Sequence, residues 1–146
     1  MDLTTVMDYA IFNLVIIEIE IERTKKMEKI KTHYINTLNS WIDESEQNTK
    51  RFMNDFRQDE AEMEKIKTNI YSIFLKMFHL SLNKTNDQEK FRTMYLNFHK
   101  TIPKNWHNAK EKAKENESID YYIEDLKITT ANRVEKLFNN LWDNHE

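Results

Sequence analysis

The sequence has 146 residues, of which 39% are hydrophobic, 22 are basic and 25 are acidic, a composition typical of one folded domain. It contains no Gly and no Cys, which argues against hairpins and excludes disulfides, thiolate metal sites and cysteine nucleophiles. The net charge of −3, with the two signs interspersed, argues against nucleic-acid binding. We therefore predict a single all-α domain over residues 1–146, a bundle of about six to seven helices. The lack of Cys also fits a reducing cytoplasm.

The first predicted element is an apolar segment over residues 1–23. Its end, VIIEIEIER (15–23), alternates Ile with Glu at the period of a strand. A strand needs a neighbour for its hydrogen bonds, and no other segment has a strand pattern. We therefore predict a helix. One face of this helix would carry Met7, Ile11, Leu14, Ile17 and Ile21, and a second stripe would carry Phe12, Val15, Ile16 and Ile19.

Residues 9–21 are too apolar for a single core-facing stripe. This excess predicts either a partner subunit, most simply a homodimer, or an unusually buried N-terminal helix. The longest apolar run, residues 10–17, is shorter than the roughly 20 residues of a membrane span, so no span is predicted. Acidic residues on both sides of the run also argue against a secretory signal.

Helical periodicity continues over a predicted core region, residues 27–142. A helix over 27–42 is followed by the polar run 43–50 and a short amphipathic piece at 52–56. The next helix, over 59–82, is apolar nearly all round, which is typical of a central helix. Its predicted N-cap is Asp59.

The second half of the core region predicts two to three more helices. Asn86 with Glu89 forms a capping pair for a helix that reaches residue 102, where Pro103 either opens a new helix or kinks a longer one. Ser118 is the predicted cap of the last helix. Thr129 and Thr130 mark a possible break in it.

The five histidines carry no recognised catalytic or metal motif. There is no Glu-x-x-His pair and no His-Glu-x-x-His pattern, so metal sites of these kinds are not predicted. His79 lies in the apolar helix and could ligate a haem, but a structural role is favoured and haem is not expected. His99 and His107 flank Pro103 and are predicted at the surface. Without Gly, loops that cradle phosphate and nucleophile elbows cannot form, so we do not predict an enzyme. The remaining two histidines are His33 and His145.

Soft apolar side chains recur in helices that should pack together: Phe74, Met77, Phe78, Met94, Phe98 and Trp106. Met and aromatic side chains adapt to irregular volumes. They would either fill a solid core or line a cavity for an apolar ligand, and composition alone favours the solid core.

Three stretches of the C-terminal third carry a family resemblance: AKEKAKEN (109–116), Ile119-Asp120-Tyr121-Tyr122-Ile123 and Arg133-Val134-Glu135. Their order and spacing resemble the N-terminal sensor domain of sporulation histidine kinases of bacilli, over roughly residues 27–142. The resemblance implies a globin-like fold without haem and an apolar tunnel suited to a fatty acid. A kinase would need a phosphoacceptor helix and an ATP-binding domain, which this sequence lacks.

The resemblance therefore implies a free-standing sensor-like domain that diverts the signal from a sporulation kinase and so inhibits sporulation. This domain would have no cofactor, apart from a possible bound fatty acid. The alternative is a small helical inhibitor or immunity protein of a phage or plasmid, which binds a protein through a helix face and has no pocket. The residues predicted to line the pocket under the first hypothesis are Phe74, Met77, Phe78, Met94, Phe98, Tyr122, Leu126 and Phe138.

Overall fold

A computed structural model of the chain describes residues 2–144, and all of the regular secondary structure in this range is α-helical. The all-α prediction is confirmed for these residues. The helices are α1 (Leu3–Asn54), α2 (Gln58–Lys84), α3 (Gln88–Thr101), α4 (Lys104–Glu115) and α5 (Asp120–Asn144).

The described residues form five helices instead of six to seven, because three predicted segments join into α1. The polar run 43–50 does not interrupt α1, since Ser45 is buried and its hydroxyl shares a 2.6 Å hydrogen bond with Thr68 of α2. Nor does α5 break at Thr129 and Thr130. Both hydroxyls donate to the Leu126 carbonyl oxygen, at 3.1 and 2.6 Å, and so remain satisfied inside a helix.

Carboxylates cap two of the helices. The Asp2 carboxylate accepts the backbone N–H of Thr5 at 2.9 Å, and these hydrogen bonds lower the pKa of Asp2. Asp87 caps α3 in the same way, one residue after the predicted Asn86. Asp59 lies in the first turn of α2 instead of at its cap, where its charge still favours the helix N-terminus.

The turns between the helices contain no Gly. Phe56, after α1, and Glu117, after α4, take the left-handed conformation with φ of 59° and 50°. This is the conformation in which helices commonly end, and a bulky side chain raises its cost. Pro103 immediately precedes α4. Of the two predicted alternatives, a new helix or a kink, it therefore opens a new helix. The Ser118 hydroxyl accepts the Asp120 N–H at 3.2 Å at the start of α5.

The core lies between α1, α2, α3 and α5. Because α2 packs against all three of the others, its predicted central position is confirmed. The core is aromatic: Phe78 stacks on Tyr34 with ring centroids 4.1 Å apart and meets Tyr95 edge to face at 5.5 Å. Helix α4 packs mainly on α5, through the small buried side chain of Ala113. The largest fully buried side chains are Tyr34, Tyr95, Phe74, Phe78, Phe91, Phe138, Ile30 and Leu38.

Helix α1 has two parts with different surroundings. From residue 26 onward it contributes buried residues to the bundle, whereas residues 3–25 are all exposed. We call residues 3–25 the arm and residues 26–144 the bundle. At 1.5 Å per residue the arm extends about 35 Å. Within the single chain the alternative of a buried N-terminal helix is therefore wrong, since no other described helix accompanies the arm.

Candidate interaction surface

The arm carries most of the apolar surface that the described chain exposes. Twelve of the seventeen large hydrophobic side chains exposed in residues 2–144 belong to it, and each is 38–76% exposed. Soluble monomers rarely leave so many apolar side chains contiguous, and patches of this kind mark interaction sites. The twelve are Leu3, Val6, Met7, Tyr9, Ile11, Phe12, Leu14, Val15, Ile16, Ile17, Ile19 and Ile21.

Helical geometry resolves the alternation at the end of the arm. Residues two apart in an α-helix point about 200° apart, so Ile17, Ile19 and Ile21 do not share a face. The three isoleucines and the glutamates between them are instead distributed around the helix. The prediction of a helix over VIIEIEIER is confirmed, and the arm is apolar on more than one side.

The base of the arm is fixed to the bundle by a hydrogen bond. The side-chain amide of Gln88, in the first turn of α3, donates to the backbone carbonyl of Arg23 at 2.9 Å. An open cleft of about 530 Å³ lies at this junction, and Trp142 at the end of α5 forms part of its wall. The junction is thus the last point at which the described bundle supports α1.

Charge changes sign along the arm near this junction. Glu18, Glu20 and Glu22 are followed by Arg23 and Lys25. Lys25 and Glu22 lie 3.9 Å apart, but their side chains are 66% and 77% exposed, so this pair contributes little. A groove of about 530 Å³ crosses the boundary on one face of α1. It is lined by Val15, Glu18, Ile19, Glu22, Arg23, Lys25, Lys26 and Lys29.

The eight residues predicted to line a ligand pocket do not share one environment. Phe74, Phe78 and Phe138 are fully buried, and Phe78 and Phe138 contact each other with centroids 6.4 Å apart. Tyr122, at 65% exposure, lies on the surface of α5. The other four are half-buried, and of these only Met77 packs against the core cluster; the remaining three are Met94, Phe98 and Leu126.

The three buried members of that set are enclosed by other rings. Phe74 stacks on the His99 imidazole at 4.0 Å, and Phe138 lies 4.6 Å from Tyr95. None of the eight residues lines the clefts along α1 or the small one beside Arg133. The pocket stays a prediction, and in this conformation aromatic packing occupies the places of its three buried residues.

A buried polar network crosses the core. The hydroxyls of Tyr34 and Tyr95 hydrogen-bond each other, and Nε2 of His99 lies 3.0 Å from the Tyr95 hydroxyl. Burial raises the pKa of both tyrosines and lowers the pKa of His99 to about 4. Glu135 lies 4.0 Å from His99 Nδ1, but its side chain is partly exposed to water, so burial of the imidazole outweighs it.

His99 is therefore a correction, since the sequence predicted it at the surface and its side chain is only 1% exposed. The signal was present in the spacing. His99 lies four residues after Tyr95 and eight after Phe91, on the buried face of α3. All three members of the network are shielded from solvent, and burial favours their neutral forms, so the network can order the core without a buried charge.

A second group that sequence reasoning missed lies where α1, α2 and α5 meet. The Arg133 guanidinium is 3.7 Å from the centre of the Trp41 ring and donates to the Tyr71 hydroxyl at 2.7 Å. The adjoining cleft holds only about 40 Å³. It is too small for a ligand much larger than a water molecule, so we assign the group to helix packing.

The three other described histidines are exposed. His79 is exposed on α2, and His107 is exposed as predicted. His33 is also exposed, and His145 lies outside the described residues. Residues 2–144 contain no group of three or more His, Asp or Glu side chains placed to hold a metal ion. In the same range no helix combines the length and apolarity needed to cross a membrane.

Comparisons of the chain with protein-family models, with curated proteins and with solved structures give no match. Among the features of the described chain, the arm is the one that combines accessibility, size and an apolar surface whose exposure to water is unfavourable.

Proposed function

We propose that the protein is a non-catalytic interaction module whose arm binds a helical partner, most simply another copy of the chain. The observation that carries this proposal is the exposure of twelve large apolar side chains on residues 3–21. Burying such side chains against a partner stabilises a complex by roughly 1.5–3 kcal/mol for each one fully buried. A helix that is apolar nearly all round is usually buried, and a partner in an assembly can provide that burial.

The properties of the bundle support this proposal. Its aromatic core is closely packed, its buried histidine and tyrosines are inaccessible, and its surface is charged in the ordinary manner of a solvated helix face. The role that fits this division is a folded body that presents a long apolar helix. It corresponds to the inhibitor-type hypothesis, in which a helix face binds a protein without a ligand pocket.

A double substitution in the arm, Leu14→Glu with Ile17→Glu, tests the proposal. We expect the full-length wild-type chain to sediment as an assembly, alone or with a partner from a native extract. The double variant should sediment as a monomer with an unchanged thermal midpoint of the bundle. A wild-type chain that is monomeric under both conditions would refute the proposal, as would a double variant that keeps the size of the wild type.

A second candidate function follows the family resemblance. It is a globin-like, haem-free sensor domain that holds a fatty acid and diverts the signal from a sporulation kinase. The half-buried Met77, beside the buried Phe74 and Phe78, favours it, since Met side chains can rearrange to admit an acyl chain. Native mass spectrometry and thermal melts with added fatty acids test it. Failure to retain an acyl chain, together with no rise in the midpoint, would contradict it.

A further inference from the structure

We infer that the arm pairs with the same segment of a second copy in a parallel, in-register coiled coil. This inference rests on the proposed role of the arm. Three observations on the described helix support it: the spacing of one apolar stripe, the direction in which that stripe points, and the charges beside it.

One apolar stripe of the arm has heptad spacing. Its residues follow one another at intervals of four, three, four, three and four, which places them at alternating d and a positions. Ala10 keeps the register with a small side chain. We call this stripe the seam; it consists of Leu3, Met7, Ala10, Leu14, Ile17 and Ile21.

The seam ends where the bundle begins. The next heptad positions are Thr24 and Glu28, which are exposed polar residues at and beyond the junction. The seam therefore covers nearly three heptads. Its extent matches the part of α1 that has no companion in its own chain.

The seam also points away from its own bundle. At 100° per residue, the mean direction of the seam lies roughly 140° from that of Ile30, Tyr34 and Leu38, which face the core. A second helix laid along the seam would thus meet the outer side of α1. It would not compete with α2 or α5 for the same surface.

Charges beside the seam select the parallel direction. In a parallel coiled coil each g position faces the e position of the next heptad in the partner. Glu20 is at g and Lys25 is at e, so two Glu20–Lys25 pairs form across the twofold axis. Of the two preceding pairs, Val6 faces Ile11, which extends the apolar contact, and Asn13 faces Glu18, which is a polar pair.

The antiparallel arrangement lacks these pairs. When the seams of two antiparallel copies are aligned end to end, g positions face g positions. Glu20 of one copy then meets Val6 of the other copy. A carboxylate would then lie against an apolar side chain with no cation opposite. The same reversal would set the Leu3 residues of the two copies at opposite ends of the coil, about 27 Å apart.

Two neighbouring isoleucines give a matched test of the face. Ile17 is in the seam, whereas Ile16 is at a c position and points away from it, and both are exposed. We expect full-length Ile17→Lys to sediment as a monomer at micromolar concentration, and Ile16→Lys to assemble like the wild type. Equal loss in both variants would overturn the seam and would indicate a partner that surrounds the arm, such as a lipid surface or a mixed bundle.

Introduced cysteines test the direction, because the natural chain contains none. In the parallel coil Leu3→Cys faces its own counterpart and should form an intermolecular disulfide under mild oxidation. Thr5→Cys, on the outer side of the same end, should not. Assembly without a Leu3→Cys disulfide would overturn the parallel register, whereas a cross-linked dimer or higher parallel oligomer supports it.

Charge reversal tests the pairing at the margin. Glu20→Lys places like charges across the coil and should weaken assembly about fivefold to tenfold. Adding Lys25→Glu should restore it. A single variant that assembles as well as the wild type, or a double variant that does not recover, would overturn the assignment of the charge pairs.

The self-pairing inference and the proposed function fail in different ways. If the purified wild-type chain is monomeric but enters an arm-dependent complex in the native extract, the self-pairing is wrong and the interaction role stands. If the arm variants change neither result, both are wrong.

Discussion

The two parts of α1 show the same kind of residue in opposite surroundings. In the bundle, Ile30, Tyr34 and Leu38 are at most 1% exposed. In the arm, Leu14 and Ile17 are 60% and 52% exposed, although the backbone is one continuous helix. The difference comes from neighbouring helices, since α2 and α5 accompany the second half of α1 and not the first. Burial therefore depends on what lies beside a helix and not on its own apolar content.

The largest effect should come from removing one aromatic ring in each part. Phe78→Ala leaves a cavity among buried rings and should lower the free energy of unfolding by about 3–5 kcal/mol. Phe12→Ala, the same change in the arm outside the seam, should lower it by less than about 0.5 kcal/mol. Urea denaturation followed by circular dichroism at low protein concentration measures both. Similar losses in the two variants would contradict the division into bundle and arm.

Acid should destabilise the bundle through His99. Burial lowers the pKa of His99 from 6.5 to about 4. Between these values the unfolded chain takes up a proton that the folded chain does not, so stability falls as the pH falls. The loss is roughly 3 kcal/mol across this window.

The His99 contribution can be isolated by comparing the pH dependence of the free energy of unfolding among variants. His99→Phe should flatten the dependence between pH 6.5 and 4, because the titrating group is gone. His107→Gln, at an exposed position, should leave it as in the wild type. Carboxylates contribute to all of these curves and cancel in the difference. Parallel curves for wild type and His99→Phe would show that His99 does not carry the dependence.

A cation in the bundle should matter more than one in the arm. Arg133→Ala removes both the guanidinium above Trp41 and the hydrogen bond to Tyr71, and should cost about 1–2 kcal/mol of stability. Within a single copy, Lys25→Ala removes only an exposed pair with Glu22, so at a protein concentration at which the chain is monomeric it should change the free energy of unfolding by less than about 0.5 kcal/mol. Thermal denaturation of the two variants side by side provides the measurement. A larger loss for Lys25→Ala would reverse the comparison.

The smallest effect should be a gain at the far end of α1. Phe56 is 95% exposed and takes φ of 59°, which costs a bulky residue free energy. Phe56→Asn should stabilise the bundle by roughly 0.5–1 kcal/mol without affecting assembly, since Phe56 lies outside the arm. The thermal midpoint and the sedimentation coefficient report the two properties separately. A lowered midpoint would show that the exposed ring contributes more than its backbone costs.

Part of the candidate surface was predictable and part was not. An N-terminal segment with more apolar side chains than one core-facing stripe can use follows from residues 9–21 of the sequence. The eight residues predicted to line a pocket share an apolar type on helices expected to pack together, and residue type does not specify depth. Phe138 is consequently buried whereas Tyr122, on the same helix, is exposed.

The sequence by itself determined the local properties of the protein. The lack of Gly and the regular spacing of apolar residues determined the helical class, an interruption at Pro103, and the central position of the helix that carries Phe74 and Phe78, because each depends on helical period and turn chemistry. Only the tertiary structure decided which apolar candidates on α5 are buried, as Phe138 is and Tyr122 is not, and that the arm is exposed. Both depend on where neighbouring helices lie: α1 has 52 residues and α2 has 27, so about half of α1 extends beyond the helix that covers it.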